Sequence, residues 1–426
     1  MCIFLCVTVF FAQAQDSDSA TIKKNLNKAK EEMELMFHGE TPDYIKAGKL
    51  LEPIVAQDPG NAEAWYFFGY AIDQYNMSAG ANMLNASLPL AIRASEAFQN
   101  CIELSDGKYK GEKLLFDPYT KILTIWGTQA LKYLQKDKKD SAIWCLNQAA
   151  IRGGINQTTL GYFRQVLQEC SQNSYLFTYG DMYLYYIVYL QLVEKFRPDI
   201  NYIDLNLLNA DWSFPLLVKS KIIPDSIATK INYPDNVKKW EDQNVTVPNY
   251  NQDAIGGDSS VSWIVNPNTK GGLTRSSVIL LNLLKENAFR QDVFFVTDVP
   301  SKASLNLTIN NYLQLRGLTF KMVADTAKSN LNFLESRLKR LNTIPVEDTT
   351  FKNNQDNIQV LNNYRFAYTA AAVMASNQGD STLALELLDL CIRKYPERTL
   401  PFFANQTREW FYQLVDRAEK KQPLKW

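Results

Sequence analysis

Six residues stand where an α/β protein would do chemistry: Gly180, Asp181, Asn209, Asp211, Trp212 and Asp298, in short polar turns just past apolar runs. Turns of this kind follow the carboxyl ends of parallel strands, the edge where an open sheet binds ligands. The three acids could offer oxygens to a hard cation, but such an ion wants several converging ligands, and no metal is assigned. Trp212 could stack on a sugar ring, although a packed lid against the sheet edge is the plainer use. Asp181 likewise has a structural use, because a carboxylate at a helix start accepts backbone N–H bonds and suits the positive dipole end. The six residues form a candidate ligand loop and no more.

The remaining inventory is sparse. Among 426 residues there is one histidine, His38, so multi-histidine metal sites and paired-histidine acid–base schemes are excluded. His38 precedes Gly39 and reads as a solvated residue at a helix end. No G-x-G-x-x-G or G-x-x-x-x-G-K-[ST] occurs, and Gly153-Gly154, Gly256-Gly257 and Gly271-Gly272 read as turns. No G-x-S-x-G elbow is present. Any two of the 45 acids could form a glycosidase pair, yet nothing picks one out. No catalytic residue and no cofactor is expected. Lys and Arg number 45, matching the acids, and a net charge of zero argues against a nucleic-acid or anionic-lipid partner.

Hydrophobic residues make up 46% of the chain and charged residues 21%, enough for real cores. Met1 to Phe11 is an apolar run followed by Ala12-Gln13-Ala14, an A-x-A cleavage signature before a polar stretch. A signal peptide over 1–14, cleaved after Ala14, places the protein in the periplasm or cell envelope. Cys6 follows the bulky Leu5, which does not suit lipidation. No other run reaches membrane-spanning length, so the mature chain should have no direct span. Cys101, Cys145, Cys170 and Cys391 would remain, and buried free thiols are the expected state of each.

The elements that would position the polar turns fall into three textures. From Thr21 to Glu169 apolar residues recur at helical spacing. Ala47, Leu50, Leu51, Ile54 and Val55 share a face; Asp58-Pro59-Gly60-Asn61 breaks the helix; Ala64, Trp65, Phe68, Gly69 and Ala71 begin the next. Small Gly69 and Ala71 should let these two helices approach closely. The pair resembles a tetratricopeptide repeat. Ala91, Ala94, Phe98 and Ile102 suggest a second packing helix, and Tyr119 to Arg152 another pair. Residues 77–90 insert a Gly/Asn/Ser-rich loop, so the repeats are degenerate.

Tyr175 to Thr178, an apolar helix from Met182 to Phe196, and Ile200 to Leu205 form a strand–helix–strand unit, so the two strands should be parallel. Residues 221–272, rich in Asn, Asp, Gly and Pro, read as an ordered excursion with one or two hairpins. A helix from Thr274 to Glu286 leads to a third buried strand, Val293 to Thr297, and Leu318 to Val323 suggests another. Tyr179, Tyr183, Tyr185, Tyr186 and Tyr189 crowd one helix; burial is the plain reading, a protein-contact surface the sharper one. The C-terminal region is helical again: Tyr364 to Ala375, a turn at Asn377-Gln378-Gly379-Asp380, Leu383 to Tyr395, then Phe402 to Lys420.

Several of these residues carry a resemblance. Gly180-Asp181, Tyr189-Leu190-Gln191, Leu205-Asn206-Leu207-Leu208-Asn209-Ala210-Asp211-Trp212 and Tyr312-Leu313-Gln314-Leu315-Arg316-Gly317-Leu318 occur in the order found in the soluble periplasmic tail of a Bacteroidetes membrane-protein family. The N-terminal half of that family is a multi-span, protein-mannosyltransferase-like module, and the resemblance covers roughly residues 173–400. The glycosyl-transfer chemistry implied by the family belongs to the membrane half, so it does not carry over. Family members tend to read G-D-N-D after the first strand; Met182 and Tyr183 replace the last two here. Asp followed by Ser or Thr at Ser19, Ser141, Ser226, Thr326 and Ser381 is similar to the O-glycan acceptor pattern of exported Bacteroidetes proteins.

The expected fold class is α+β or α/β: helical-repeat (TPR-like) regions flanking a small, mostly parallel, Rossmann-like α/β module. The expected boundaries are 15–170 for the first helical domain, 171–326 for the α/β domain with its insertion at 221–272, and 327–426 for the C-terminal helices. The expected function is an exported, non-catalytic interaction scaffold whose partners are other envelope proteins or peptides, within a complex that could be membrane-associated. The alternative is a carbohydrate- or nucleotide-sugar-binding module, or an accessory subunit of a membrane glycosyltransferase.

Overall fold

The computed structural model describes residues 3–78, 83–210, 212–228, 237–251, 259–268, 271–297, 307–324 and 330–425, with side chains from residue 19. The chain is mixed α and β and forms two compact units, Met1–Ile155 and Asn156–Trp426. Among the described residues, no helix is long and apolar enough to cross a membrane.

The first unit is helical: α1 (Ile3–Glu34), α2 (Tyr44–Gln57), α3 (Ala62–Met77), α4 (Leu88–Leu104), α5 (Pro118–Gln135) and α6 (Lys139–Ile151). Each packs against the next. The break after α2 follows from Pro59 and Gly60, and the Asn61 side chain restarts the chain by accepting the Ala64 N–H at 3.0 Å. Trp65 Nε1 donates to the Pro59 carbonyl at 2.9 Å, fixing the turn. Gly69 and Ala71 do not serve one contact, however. Two residues apart on a helix, they point to different sides. Ala71 meets Gly48 of α2, while a β-carbon on Gly69 would lie 3.1–3.2 Å from Phe98, Ala94 and Ala97 of α4. Trp126 of α5 is fully buried, its Nε1 donating to Ser95 Oγ of α4 at 3.0 Å. Lys121 of α5 forms a buried ion pair with Asp73 of α3 and lies 4.9 Å from the Tyr70 ring. His38 is exposed, ending a short 3-10 turn before Gly39, whose φ is +76°.

The second unit begins with α7 (Gln157–Glu169) and continues through β1 (Tyr175–Thr178), α8 (Asp181–Leu192), β2 (Asn201–Asp204), α9 (Ser213–Lys219) and α10 (Asp225–Ala228). It proceeds through β3 (Val237–Lys239), β4 (Gln243–Pro248), β5 (Ser260–Val265), β6 (Gly272–Thr274), α11 (Arg275–Asn287), β7 (Val293–Val296), β8 (Leu313–Leu315) and β9 (Thr319–Met322). Helices α12 (Leu331–Arg340), α13 (Gln355–Leu361), α14 (Asn363–Asn377), α15 (Ser381–Lys394) and α16 (Asn405–Glu419) complete it.

The sheet order is β2-β1-β7-β9-β8. β1 pairs in parallel with both β2 and β7, as the strand–helix–strand spacing requires. The sheet is nevertheless mixed rather than mostly parallel. Arg316 to Leu318 make too short a turn for a crossover, so β8 and β9 form an antiparallel hairpin whose β9 adds to β7. The 221–272 excursion holds the antiparallel pair β4 with β5, and its β3 pairs antiparallel with β6, which begins at Gly272. On β5 burial alternates, Val261, Trp263 and Val265 inward.

Helix α8 stops at Leu192, short of Arg197-Pro198, because Lys195 and Arg197 turn the backbone to φ +56° and +47°. Its Tyr183, Tyr185 and Tyr186 are buried, which removes them as a docking surface. Tyr186 stacks on Phe163 of α7 at 5.0 Å, and Phe177 stacks on Phe295 at 5.2 Å across the sheet. Asp380 caps α15 by accepting the Leu383 N–H at 2.9 Å. Cys101, Cys145, Cys170 and Cys391 are buried free thiols; burial raises all four, with Cys101, Cys145 and Cys391 pushed up to about 12. Ser19 and Ser226 are exposed, Ser141 and Ser381 half-buried; Thr326 and Gly256-Gly257 lie outside the described residues.

Candidate functional site

The carboxyl ends of β1, β2 and β7 lie side by side, and their polar residues are largely spent on the fold. Asp204 ends β2 and is buried. Its carboxylate accepts from Thr178 Oγ1 at 2.9 Å, the Gly180 N–H at 2.7 Å, the Asn206 N–H at 3.0 Å and the Leu207 N–H at 3.2 Å. Burial raises this carboxyl above the usual aspartate value even against those four bonds. A carboxylate with four internal donors clamps the β1 turn to the β2 turn and has little left for a ligand. Sequence reasoning missed it. The signal was an aspartate two and three residues before the N–H groups it accepts, the pattern of an Asx turn.

Gly180 takes φ +109°, which a residue with a β-carbon rarely adopts, and is itself the N-cap of α8. Asp181 is therefore the first helical residue and not the cap. Its charge still suits the positive end of the helix. Asn209 is also structural: its Oδ1 accepts the Ser276 N–H at 3.1 Å, in the first turn of α11, where Thr274 Oγ1 caps the Ser277 N–H at 3.3 Å. Trp212 is half-buried at the start of α9, and its Nε1 has no hydrogen-bond partner among the described residues. Thr297, past β7, is 2% exposed, and its Oγ1 likewise has no partner among the described residues. Asp211 and Asp298 lie outside the described residues; of the strand-end residues described, Gly180 is joined to Asp204. Among the described residues, no three His, Cys, Asp or Glu side chains group as a metal site would need.

A shallow hollow does open, but at the opposite, amino-terminal edge of the strands, lined by Cys170, Gln172, Arg197 and Asp199. Arg197 is held there by the Leu167 and Cys170 carbonyls, at 2.8 and 3.0 Å, and by both Asp199 oxygens at 2.8 Å. Its bond to Asp199 raises Arg197 and lowers Asp199 from their ordinary values. A guanidinium on the last carbonyls of α7 is a helix C-cap, so this hollow too is built by the fold.

A family model described as TMEM260-associated domain 2 matches residues 161–256. Over that stretch, from within α7 to beyond β4, the chain is similar to that domain, and the stretch contains the Asp204 clamp, Asn209 and Trp212. No curated protein matches the chain.

Proposed function

We propose that this chain is a non-catalytic interaction protein of the bacterial envelope, exported and working through TPR-like helix pairs. The observation that carries the reading is the serial packing of α2 to α6. Gly48 with Ala71, and Gly69 with Ala94 and Ala97, draw successive helices together at small residues, as stacked repeats do. Repeats of this kind present extended surfaces to partner chains or peptides. Exposed on α6 are Trp144, 44% accessible, and Ile151, 77% accessible, seven residues apart on one face. The test is affinity capture from native envelope with wild-type protein and Ile151→Glu. A specific envelope protein retained by the first and lost by the second is expected. Recovery of nothing, together with a monodisperse monomer, removes the proposal.

The second reading, a carbohydrate- or nucleotide-sugar-binding module or an accessory subunit of a membrane glycosyltransferase, draws on two observations. The matched family is linked to a protein-mannosyltransferase-like transmembrane protein, and among the described residues Trp212 and Thr297 each leave a polar atom unpartnered at the strand ends. Quenching of tryptophan fluorescence by a sugar or nucleotide sugar, abolished in Trp212→Phe, is its expected signature.

A further inference from the structure

Two arginines beside the β8–β9 hairpin have guanidinium donors left without a partner among the described residues. The Arg316 guanidinium carbon lies 5.0 Å from the centre of the Phe333 ring, and that of Arg337, one helical turn along α12, lies 5.6 Å from it. Stacking on an aromatic face places each planar cation but leaves its N–H groups unspent. Arg316 gives one bond, to Gln314 Oε1 at 3.2 Å. Among the described residues Arg337 gives none, and the Nε of both arginines is shielded from water without a partner. Among the described residues, the two carboxylates that act on these arginines, Asp292 on Arg316 and Glu169 on Arg337, also hold bonds elsewhere. Asp292 is held by Lys321 Nζ at 2.7 Å and Ser171 Oγ at 2.6 Å, and Glu169 by the Leu318 N–H and Thr319 Oγ1, each at 2.9 Å. Burial lowers Arg316 from its ordinary value, and Arg337 adds to this against the opposing pull of Asp292.

We infer that Arg316 and Arg337, gathered over the ring of Phe333, form a binding site for the phosphoryl group of an organic phosphate. Two guanidinium forks offer more donors and charge than one carboxylate can use, whereas a phosphate monoester brings up to two charges and three oxygens. Phe333 is 38% exposed and gives the ester's organic part an apolar surface beside the anion. The proposal is independent of the interaction role of α2 to α6.

Inorganic phosphate and, separately, vesicles containing phosphatidic acid are titrated into the full chain, with chloride at matched ionic strength as control. Binding is followed by phosphorus NMR linewidth for the free anion and by co-sedimentation for the vesicles. Saturation in either arm beyond the chloride control supports the site and shows whether free phosphate or a headgroup is its source. Arg337→Gln and Arg316→Gln are each expected to weaken binding by roughly tenfold, with Arg337→Lys between them and wild type. Equal responses to phosphate and chloride in the wild-type protein, with no saturation on vesicles, overturn the proposal whether or not the variants fold. Unchanged phosphate binding by a folded Arg337→Gln does so too.

Discussion

The Gly180 N–H donates to the Asp204 carboxylate at 2.7 Å, joining the turn after β1 to the end of β2. Removing that carboxylate orphans the Thr178 hydroxyl and the Gly180, Asn206 and Leu207 amides together. Asp204→Ala should destabilise the second unit by about 3 kcal/mol, because buried donors left unmade cost more than a bond contributes. Asp204→Asn should be intermediate, since its amide nitrogen cannot accept. Urea denaturation followed by near-UV dichroism measures both, and an unchanged midpoint for Asp204→Ala would refute the clamp.

Two glycines on neighbouring helices should answer the same substitution with opposite signs. At Gly48 a β-carbon would meet only Ala71 Cβ, at 4.0 Å, an ordinary contact. Gly48→Ala should therefore stabilise the first unit by about 0.5–1 kcal/mol through the cost of glycine in a helix. At Gly69 the same atom would meet the Ala94 carbonyl at 3.2 Å and Phe98 at 3.1 Å, with backbone on one side. Gly69→Ala should destabilise by about 1–3 kcal/mol. Thermal melts of the two variants shifting in the same direction would contradict this packing.

The sign of that contrast could not have been read from the sequence. Helical spacing located α2 to α6 and the turn at Pro59, because periodicity and breakers are local properties. It did not say which neighbour Gly69 faces, since an all-round apolar helix such as α3 offers several faces. The same limit governed the sheet. The strand–helix–strand span from Tyr175 to Leu205 forces β1 and β2 to be parallel, whereas β9 takes its direction from a turn centred on Gly317. Asp181 follows a strand and is legible in sequence, whereas the buried carboxylate at the strand ends is Asp204. Its partners Thr178 and Gly180 are 26 and 24 residues away in sequence, which no local pattern reports.

The ion pair between Asp73 and Lys121, with side chains 3% and 4% exposed, is expected to be costly to halve and cheap to remove whole. Asp73→Ala leaves a buried ammonium with no counter-charge and should cost about 3–5 kcal/mol. The double variant Asp73→Leu, Lys121→Met should recover most of that loss. A double-mutant cycle on thermal stability measures the coupling, and additive losses would mean the pair is not a unit.

Glu169 supplies the clearest pH dependence. It closes α7 onto the β8–β9 turn by accepting the Leu318 N–H with both oxygens, at a point where Gly317 takes φ +134° and a β-carbon would lie 2.2 Å from Glu169 Oε1. Burial pushes its carboxyl from 4.5 up to about 7, outweighing the bonds from Leu318 and Thr319 and the attraction of Arg337. A carboxyl whose folded value exceeds its unfolded value binds its proton more tightly in the native state. The resulting stabilisation is full below about pH 4.5, falls as pH rises, and is gone above about pH 7. The second unit should therefore lose on the order of 1–3 kcal/mol across that window from this group alone. Glu169→Gln keeps an acceptor for Leu318 but cannot ionise, so the slope between pH 4.5 and 7 should flatten. Gly317→Ala, by contrast, should destabilise at every pH by about 3 kcal/mol or more, since it meets both strain and a steric block. Melting temperatures of the three proteins across that range separate the two effects, and a slope in Glu169→Gln equal to wild type would place the titration elsewhere.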